Sequence, residues 1–239
     1  MGSILYLLVL SVLINCVYST SVLSPCKQDD SRCLENSINA AIPTLFSANP
    51  ELGVESSDPL NVGFIEGDLS IIKYKFNNAV VKGFKQCTVS NVKTDINALK
   101  FHLDVNCPWY ELSGDYTISG RLIVLPVEGA GTFQMSSTKY KTIVDGELKK
   151  TQGADGKNYI TIKNIKLKNE ALGPIKFDFK NLFNGQKDLS DAVHKFANEN
   201  WKEVANLVQD PVFYANFKKM VSNVNKYLKT IPLEDIILQ

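Results

Sequence analysis

Apolar and polar residues alternate strictly through the middle of the chain. From about residue 60 to residue 180, apolar side chains return at every second position in one segment after another, most clearly in residues 99–107. A period of two is typical of β-strands that bury one face. Because no apolar stripe of helical period and length interrupts these segments, we predict an antiparallel meander and not a series of strand–helix–strand units.

Three local signals refine this meander. The sequence GADGK at 153–157 is typical of a hairpin turn. The alternation changes phase at Lys163-Asn164, which predicts a β-bulge. A second change of phase, between Met135 and Tyr140, is interpreted in the same way.

A helix is predicted before the strands. Apolar residues at helical spacing follow Asp29, Asp30 and Ser31, which together suit a helix N-cap. Pro43 lies inside this pattern, so we expect the helix to kink or end early there, because proline lacks the N–H that a helix interior requires.

A longer helical stripe follows the strands. From Leu189 to Ile231, apolar residues keep spacings of three and four, and Pro232 ends the helical region. Within the stripe, Asp210-Pro211 pairs an N-cap residue with a proline, which is favoured in a first helical turn. We therefore predict one long helix with a kink, or two helices joined nearly end to end.

These elements predict an α+β fold built as an elongated single domain. A helix of some 40 residues is about 60 Å long, and its apolar face must be covered by the apolar face of the sheet. The arrangement that achieves this is a strongly curved antiparallel sheet wrapped around the long C-terminal helix. Such a wrap can enclose an internal apolar tunnel. A filled core has the same composition, so both stay open at this point.

The N-terminal residues predict export. Residues 3–14 are almost entirely apolar, yet this run is shorter than the roughly 20 residues of a membrane-spanning helix. Small polar residues follow it, so residues 1–19 are predicted to be a secretory signal peptide cleaved after Ser19. The mature, extracellular protein is then a single domain of residues 20–239.

Export changes the expectation for the cysteines. Cys26, Cys33, Cys87 and Cys107 remain after cleavage, and an even number in an exported chain suggests two disulfides. Three pairings are possible. Short spacing favours Cys26–Cys33, and the symmetric placement of Cys87 and Cys107 about a predicted hairpin turn favours the second pair.

Charge and motifs exclude several classes of function. The 26 basic and 25 acidic residues give a net charge of +1, which provides little attraction for nucleic acid. His102 and His194 are the two histidines, so a three-histidine metal site is excluded, and we expect neither metal nor cofactor. The chain has no GxSxG, HExxH or P-loop motif. We predict a protein without enzymatic activity, although a dispersed serine triad stays open.

Five segments, in the same order along the chain, resemble the takeout/juvenile-hormone-binding protein family of secreted insect proteins. The segments are CKQDDSRC at 26–33, LGVESSDPL at 52–60, GFKQ at 83–86, LSGDYTISGRLIVLPVEGAGTF at 112–133 and NLFNGQKDLSDAVHKFANENW at 181–201. The position of Cys87 and Cys107 in a mid-sheet hairpin is similar to that of the takeout-like branch. The resemblance implies a curved sheet around a long helix, an apolar cavity, and a small hydrophobic ligand such as a terpenoid, a juvenile-hormone-like molecule or a fatty-acid-like lipid.

The expected ligand contacts are inward-facing residues of the sheet and the long helix. Tyr74, Tyr116 and Tyr140 are further expected to offer hydroxyl groups that orient a polar group of the ligand. The candidate residues are Phe64, Tyr74, Phe101, Leu103, Tyr116, Ile118, Met135, Tyr140, Phe196, Val204, Val208, Phe213, Phe217 and Met220.

The protein is thus expected to be a monomeric secreted carrier. Two alternatives remain open: a membrane-surface lipid-transfer protein, and a secreted protein-interaction or signalling module without a ligand. These alternatives imply a transient contact with a membrane or with a receptor. The basic amphipathic stretch at 217–229 is the candidate membrane patch, unless its apolar stripe packs against the sheet.

Overall fold

The structure, a computed structural model, describes residues 22–238, so the predicted signal peptide lies outside the described residues. Three α-helices are present in the described part: α1 (Ser31–Leu45), α2 (Lys187–Glu199) and α3 (Trp201–Leu228). The strands are β1 (Cys26–Lys27), β2 (Leu60–Leu69), β3 (Ile72–Lys82), β4 (Thr88–Asp95), β5 (Lys100–Cys107), β6 (Tyr110–Leu122), β7 (Leu125–Ser137), β8 (Tyr140–Gln152), β9 (Asn158–Ala171), β10 (Ile175–Phe179) and β11 (Ile237–Leu238).

The long strands form two antiparallel sheets where the sequence predicted one. The five-stranded sheet has the order β10-β7-β6-β3-β2, and the four-stranded sheet has the order β4-β5-β8-β9. The two sheets share one pairing register. Tyr110 lies opposite Ser137 in the five-stranded sheet. Cys107, three residues before Tyr110, lies opposite Tyr140, three residues after Ser137, in the four-stranded sheet. The two sheets are therefore one meander, interrupted along a crease between them.

Contacts between neighbouring segments of the chain stabilise it at the crease. Cys87 and Cys107 form the predicted disulfide, with Cα atoms 4.2 Å apart. The Asp58 carboxylate accepts hydrogen bonds from the backbone N–H groups of Gly83 (3.1 Å) and Lys85 (2.8 Å). Gly83 has φ +109°, and a Cβ there would lie 2.5 Å from the Trp109 carbonyl oxygen, so this close approach requires glycine.

Of the three local predictions for the strands, two are confirmed and one is wrong. The 153–157 turn connects β8 to β9, with the Gly153 N–H donating to the Lys157 carbonyl at 2.8 Å, as predicted. The predicted bulge at Lys163 is confirmed, because Glu147 and Leu148 pair with residues on either side of it. The second predicted bulge is wrong: residues 138–139 are where the chain passes from the five-stranded to the four-stranded sheet.

The C-terminal helical region is divided, but not at the predicted position. Asn200 interrupts it, and the Asn200 amide closes the end of α2 by donating to the Phe196 carbonyl at 2.8 Å. Pro211 lies inside α3, because the burial of Val212 and Phe213 offsets the missing proline N–H. Pro43 is likewise inside α1, in its last turn.

Helices cover the sheets on several sides. Helix α1 packs on β4, α2 packs on β10, and α3 contacts β2 of one sheet and β9 of the other. Asp30 caps α1 by accepting a hydrogen bond from the Cys33 N–H at 2.9 Å, which confirms the predicted N-cap cluster. Cys33 also forms the predicted disulfide with Cys26. Beside it, β1 pairs in parallel with β11.

Helix asparagines close three sheet edges. The side-chain amides of Asn39 on α1, Asn198 on α2 and Asn225 on α3 each exchange two hydrogen bonds with the main chain of one edge-strand residue. The strand residues are Val89 of β4, Phe177 of β10 and Ile162 of β9, and the six distances run from 2.7 to 3.2 Å. Each amide thus takes the place of a further strand at an edge that would otherwise be unpaired.

Buried tyrosine hydroxyls fasten α3 to the strands. The Tyr74 hydroxyl donates to the Val208 carbonyl at 2.7 Å, and the Tyr140 hydroxyl donates to the Gln209 side chain. The Asn216 amide donates to the Tyr110 hydroxyl at 2.7 Å. Burial raises the pKa of all three tyrosines, because the charged phenolate loses its hydration.

These tyrosines predict a loss of stability at alkaline pH. An unfolded tyrosine ionises near pH 10, whereas the buried ones keep their protons to higher pH, so the unfolded state binds fewer protons. The free energy of unfolding should therefore fall as the pH rises above about 10. Urea denaturation at a series of pH values measures this. Tyr140→Phe should make the fall shallower and the exposed Tyr214→Phe should not; equal profiles would contradict the assignment.

Loss of an edge asparagine should destabilise the fold. Asn39→Ala leaves the Val89 N–H and carbonyl unpaired at a buried strand edge, so we expect the free energy of unfolding to fall by about 1–3 kcal/mol. Asn36→Ala is the matched control, because Asn36 is exposed on the same helix and its change should stay within about 0.5 kcal/mol. Denaturant unfolding with intact disulfides compares them, and equal losses would disprove the edge role.

Candidate functional site

The largest cavity with an almost wholly apolar lining lies between the four-stranded sheet, α1 and the C-terminal half of α3. Its free volume is about 270 Å³. Lys93 and Thr94 are the polar residues of a lining that is otherwise apolar. Leu34, Ile38 and Ile42 of α1 form one wall. The opposite walls are formed by residues of β5, β8, β9 and α3, among them Phe101, Leu103, Val105, Val144, Leu148, Ile160, Ile162, Phe217, Met220, Val224 and Leu228.

Two smaller cavities lie against the five-stranded sheet. The second cavity, of about 50 Å³, is bounded by β3, β6, β7 and β10 together with α2 and the first part of α3. The third, of about 40 Å³, lies further along α3. Met135 and Val208 line both, so these two cavities are neighbours.

An aromatic cluster stands between the large cavity and the third one. Phe84 and Phe217 line the large cavity, while Tyr110, Tyr140 and Phe213 line the third. Ring centroids of Phe213 lie 4.5 Å from Tyr140, 5.4 Å from Tyr110 and 6.5 Å from Phe217. These five rings form a partition between the two cavities.

Most of the candidate residues line one of the three cavities. Phe101, Leu103, Phe217 and Met220 line the large cavity. The remaining lining candidates surround the smaller ones: Tyr74, Ile118, Met135, Val204 and Val208 the second, and Met135, Tyr140, Val208 and Phe213 the third.

Three candidates lie elsewhere. Phe64 was expected to face inward and does not: its side chain is 52 % exposed, because register irregularities around Gly63 shift the alternation of β2. Tyr116 is buried but packs edge-on against Phe179, with ring centroids 4.8 Å apart. Phe196 is partly buried against the core and is absent from the lining of these three cavities.

The sequence missed one wall of the large cavity. The sequence pattern predicts α1 as a helix but does not indicate that its side chains line the cavity. The position of α1 against β4 depends on contacts between residues distant in sequence. The apolar alternation at Ile160 and Ile162 was a usable signal for the opposite wall.

The tyrosine hydroxyls that were expected to meet a ligand are already bonded within the protein. Those of Tyr74 and Tyr140 bind α3, and that of Tyr116 donates to the Lys180 carbonyl at 2.7 Å. Burial also raises the pKa of Tyr116, to about 12. The interior therefore presents apolar surface with few free polar groups. One is the Asn216 side-chain oxygen, which is fully buried and has no hydrogen-bond partner within residues 22–238.

The histidines do not form a catalytic pair with a serine. His194 accepts a hydrogen bond at Nε2 from the Phe179 N–H (2.9 Å), so its Nδ1 carries the proton and donates to the Ser190 carbonyl (2.8 Å). It therefore has no free nitrogen to activate the Ser190 hydroxyl. His102 is held on the outer side of the four-stranded sheet by Asp145, at 2.8 Å.

The described part of the chain offers few other sites. Between residues 22 and 238, no group of three His, Cys, Asp or Glu side chains could hold a metal ion, and no helix is long and apolar enough to cross a membrane. The candidate membrane patch at 217–229 is not available, because Phe217, Met220 and Leu228 are buried and line the large cavity.

Comparisons with known proteins agree with this architecture. The sequence profile of the haemolymph juvenile hormone binding protein family matches residues 5–238. The circadian clock-controlled protein daywake of Drosophila melanogaster is 28% identical over 232 residues, covering 90% of this chain and 86% of that protein. The crystal structure of Epiphyas postvittana Takeout 1 superimposes with a TM-score of 0.86 at 28% identity, covering 91% of this chain and all of that one. The chain belongs to the haemolymph juvenile hormone binding protein family, in its takeout-like branch.

Proposed function

We propose that the protein is a secreted, non-catalytic carrier that encloses one small hydrophobic molecule, a terpenoid or a fatty-acid-like lipid. The observation that carries this proposal is the cavity of about 270 Å³ with an almost wholly apolar lining. Apolar cavities of ~150 Å³ in proteins are dry and bind benzene, so a larger one suits a larger apolar molecule. Membership of a family named for hormone binding supports the same class of ligand.

Burial of apolar surface provides the affinity. A ligand that removes about 300 Å² of apolar surface from water gains roughly 7 kcal/mol, which is of the order needed for micromolar binding before the costs of association. Because the tyrosine hydroxyls are bonded within the protein, selectivity depends mainly on shape. Lys93 and Thr94 can meet a polar end of the ligand.

A longer ligand would need the interior to be continuous. In the proposed tunnel, the two sheets wrap α3, and the aromatic side chains of the partition rotate aside so that the large cavity joins the smaller ones. These side chains are Phe84, Tyr110, Tyr140, Phe213 and Phe217. The contacts among these aromatic side chains, which line the two cavities from opposite sides, support this part of the proposal. The two disulfides support an extracellular location.

The first experiment is mass spectrometry of an organic extract of the purified, disulfide-intact protein, together with native mass spectrometry of the intact protein. We expect one small apolar molecule per chain, or uptake of one equivalent of the neutral fluorescent probe N-phenyl-1-naphthylamine by ligand-free protein. A protein that carries no such molecule and takes up no probe would overturn the carrier function.

A cavity-filling substitution tests the location of the ligand. Leu103→Trp places an indole ring into the large cavity, so the affinity for N-phenyl-1-naphthylamine should fall at least about tenfold. Fluorescence titration measures the affinity, and thermal unfolding measures the overpacking cost of about 1–3 kcal/mol.

The matched control is Leu172→Trp, since Leu172 is exposed between β9 and β10. Ile38→Phe, on the opposite wall, serves as a second blocking variant if Leu103→Trp does not fold. Unchanged affinity in a folded blocking variant would place the ligand outside the large cavity.

A further inference from the structure

Two neighbouring hairpin turns expose apolar residues at one end of the five-stranded sheet. The β2–β3 turn carries Ile71, which is 45 % exposed, and the β6–β7 turn carries Val124, which is 67 % exposed. The turns are adjacent, because the Arg121 N–H donates to the Ile71 carbonyl at 2.7 Å. We call this surface the hairpin-tip patch. It is formed by the exposed Ile71 and Val124 together with the partly buried Leu69, Ile123 and Leu125.

Local turn chemistry does not explain these residues. Ile123 has φ +58° at the first central position of a two-residue turn, where glycine is favoured and a β-branched side chain is strained. An exposed turn is also usually polar. Ile123 is thus a β-branched residue in a backbone conformation that disfavours it, with its side chain partly packed against the core. Ile71 and Val124 are apolar residues that face water at exposed turns, which indicates that another apolar phase meets this surface.

The size and charge of the patch favour a lipid surface. Five side chains cannot supply the roughly 800 Å² per partner of a stable protein interface. Shallow insertion into the headgroup region of a bilayer requires only a small apolar tip. Among the described residues Arg121 has no ion-pair partner, whereas Lys73 pairs with Asp68 at 3.1 Å, so the rim carries one uncompensated positive charge.

The patch also lies at one end of the apolar interior. Ile72, Leu122 and Val127 follow directly behind the turns and line the second cavity. We propose that the hairpin-tip patch docks on the surface of an anionic lipid bilayer. Ile71, Ile123 and Val124 then lie at the boundary between the headgroups and the acyl chains, and Arg121 lies against lipid phosphate. Docking does not require that the large cavity hold a ligand, and it places the second cavity against the membrane.

Vesicle flotation tests the proposal with the disulfide-intact protein. Wild-type protein should float with mixed phosphatidylcholine–phosphatidylserine vesicles and less with pure phosphatidylcholine vesicles. The double variant Ile123→Gly/Val124→Ser relieves the backbone strain of the turn and loses the partial packing of Ile123 against the core, so thermal unfolding checks that it folds. It should bind about tenfold more weakly than wild type. Arg121→Gln should weaken binding to the mixed vesicles only.

The matched control is Leu172→Ser, which removes a similarly exposed leucine (44 %) from the β9–β10 connection and should bind like wild type. If wild type does not float with mixed vesicles, or the folded double variant floats equally well, the proposal is overturned. Uptake of N-phenyl-1-naphthylamine is measured on the same samples without vesicles. Intact uptake without flotation refutes docking alone, and flotation without uptake refutes the carrier function alone.

Discussion

The burial of α3 against both sheets at once is the constraint on which the rest of the structure depends. A helix of 28 residues cannot bury its apolar side under one short sheet. The meander therefore continues past the crease, and the second sheet covers the rest of α3. This arrangement brings polar groups into the interior, where each needs a partner. Tyr74 and Tyr140 supply partners from the strands, and Asn225 and Asn223 supply them from the helix.

Side-chain size decides where the interior is filled and where it is open. Behind the five-stranded sheet, Phe76, Phe133 and Phe179 stack with ring centroids 4.2 to 6.4 Å apart and leave only small cavities. Behind the four-stranded sheet, the inward residues are mostly valine, leucine and isoleucine, and there the large cavity lies. The interior behind the five-stranded sheet is thus densely packed, whereas the interior behind the four-stranded sheet contains the large cavity.

The sequence predicted best what depends on neighbouring residues. Strand alternation, the bulge at Lys163 and the Cys87–Cys107 pair all follow from local pattern or from a single hairpin. The crease, the α1 wall and the hydroxyl partners could not be predicted, because each depends on residues far apart in sequence. Phe64 faces outward because an irregularity in pairing overrides its alternation, and Pro211 stays helical because packing outweighs a lost hydrogen bond.

The pairing of β1 with β11 bears on the order of events during synthesis. Ile237 of β11 lines the large cavity, next to wall residues Leu23 and Leu34 from the other end of the described chain. A chain leaving the ribosome therefore holds one side of this wall long before the other exists. This part of the wall is complete only when β11 has been made and has paired with β1.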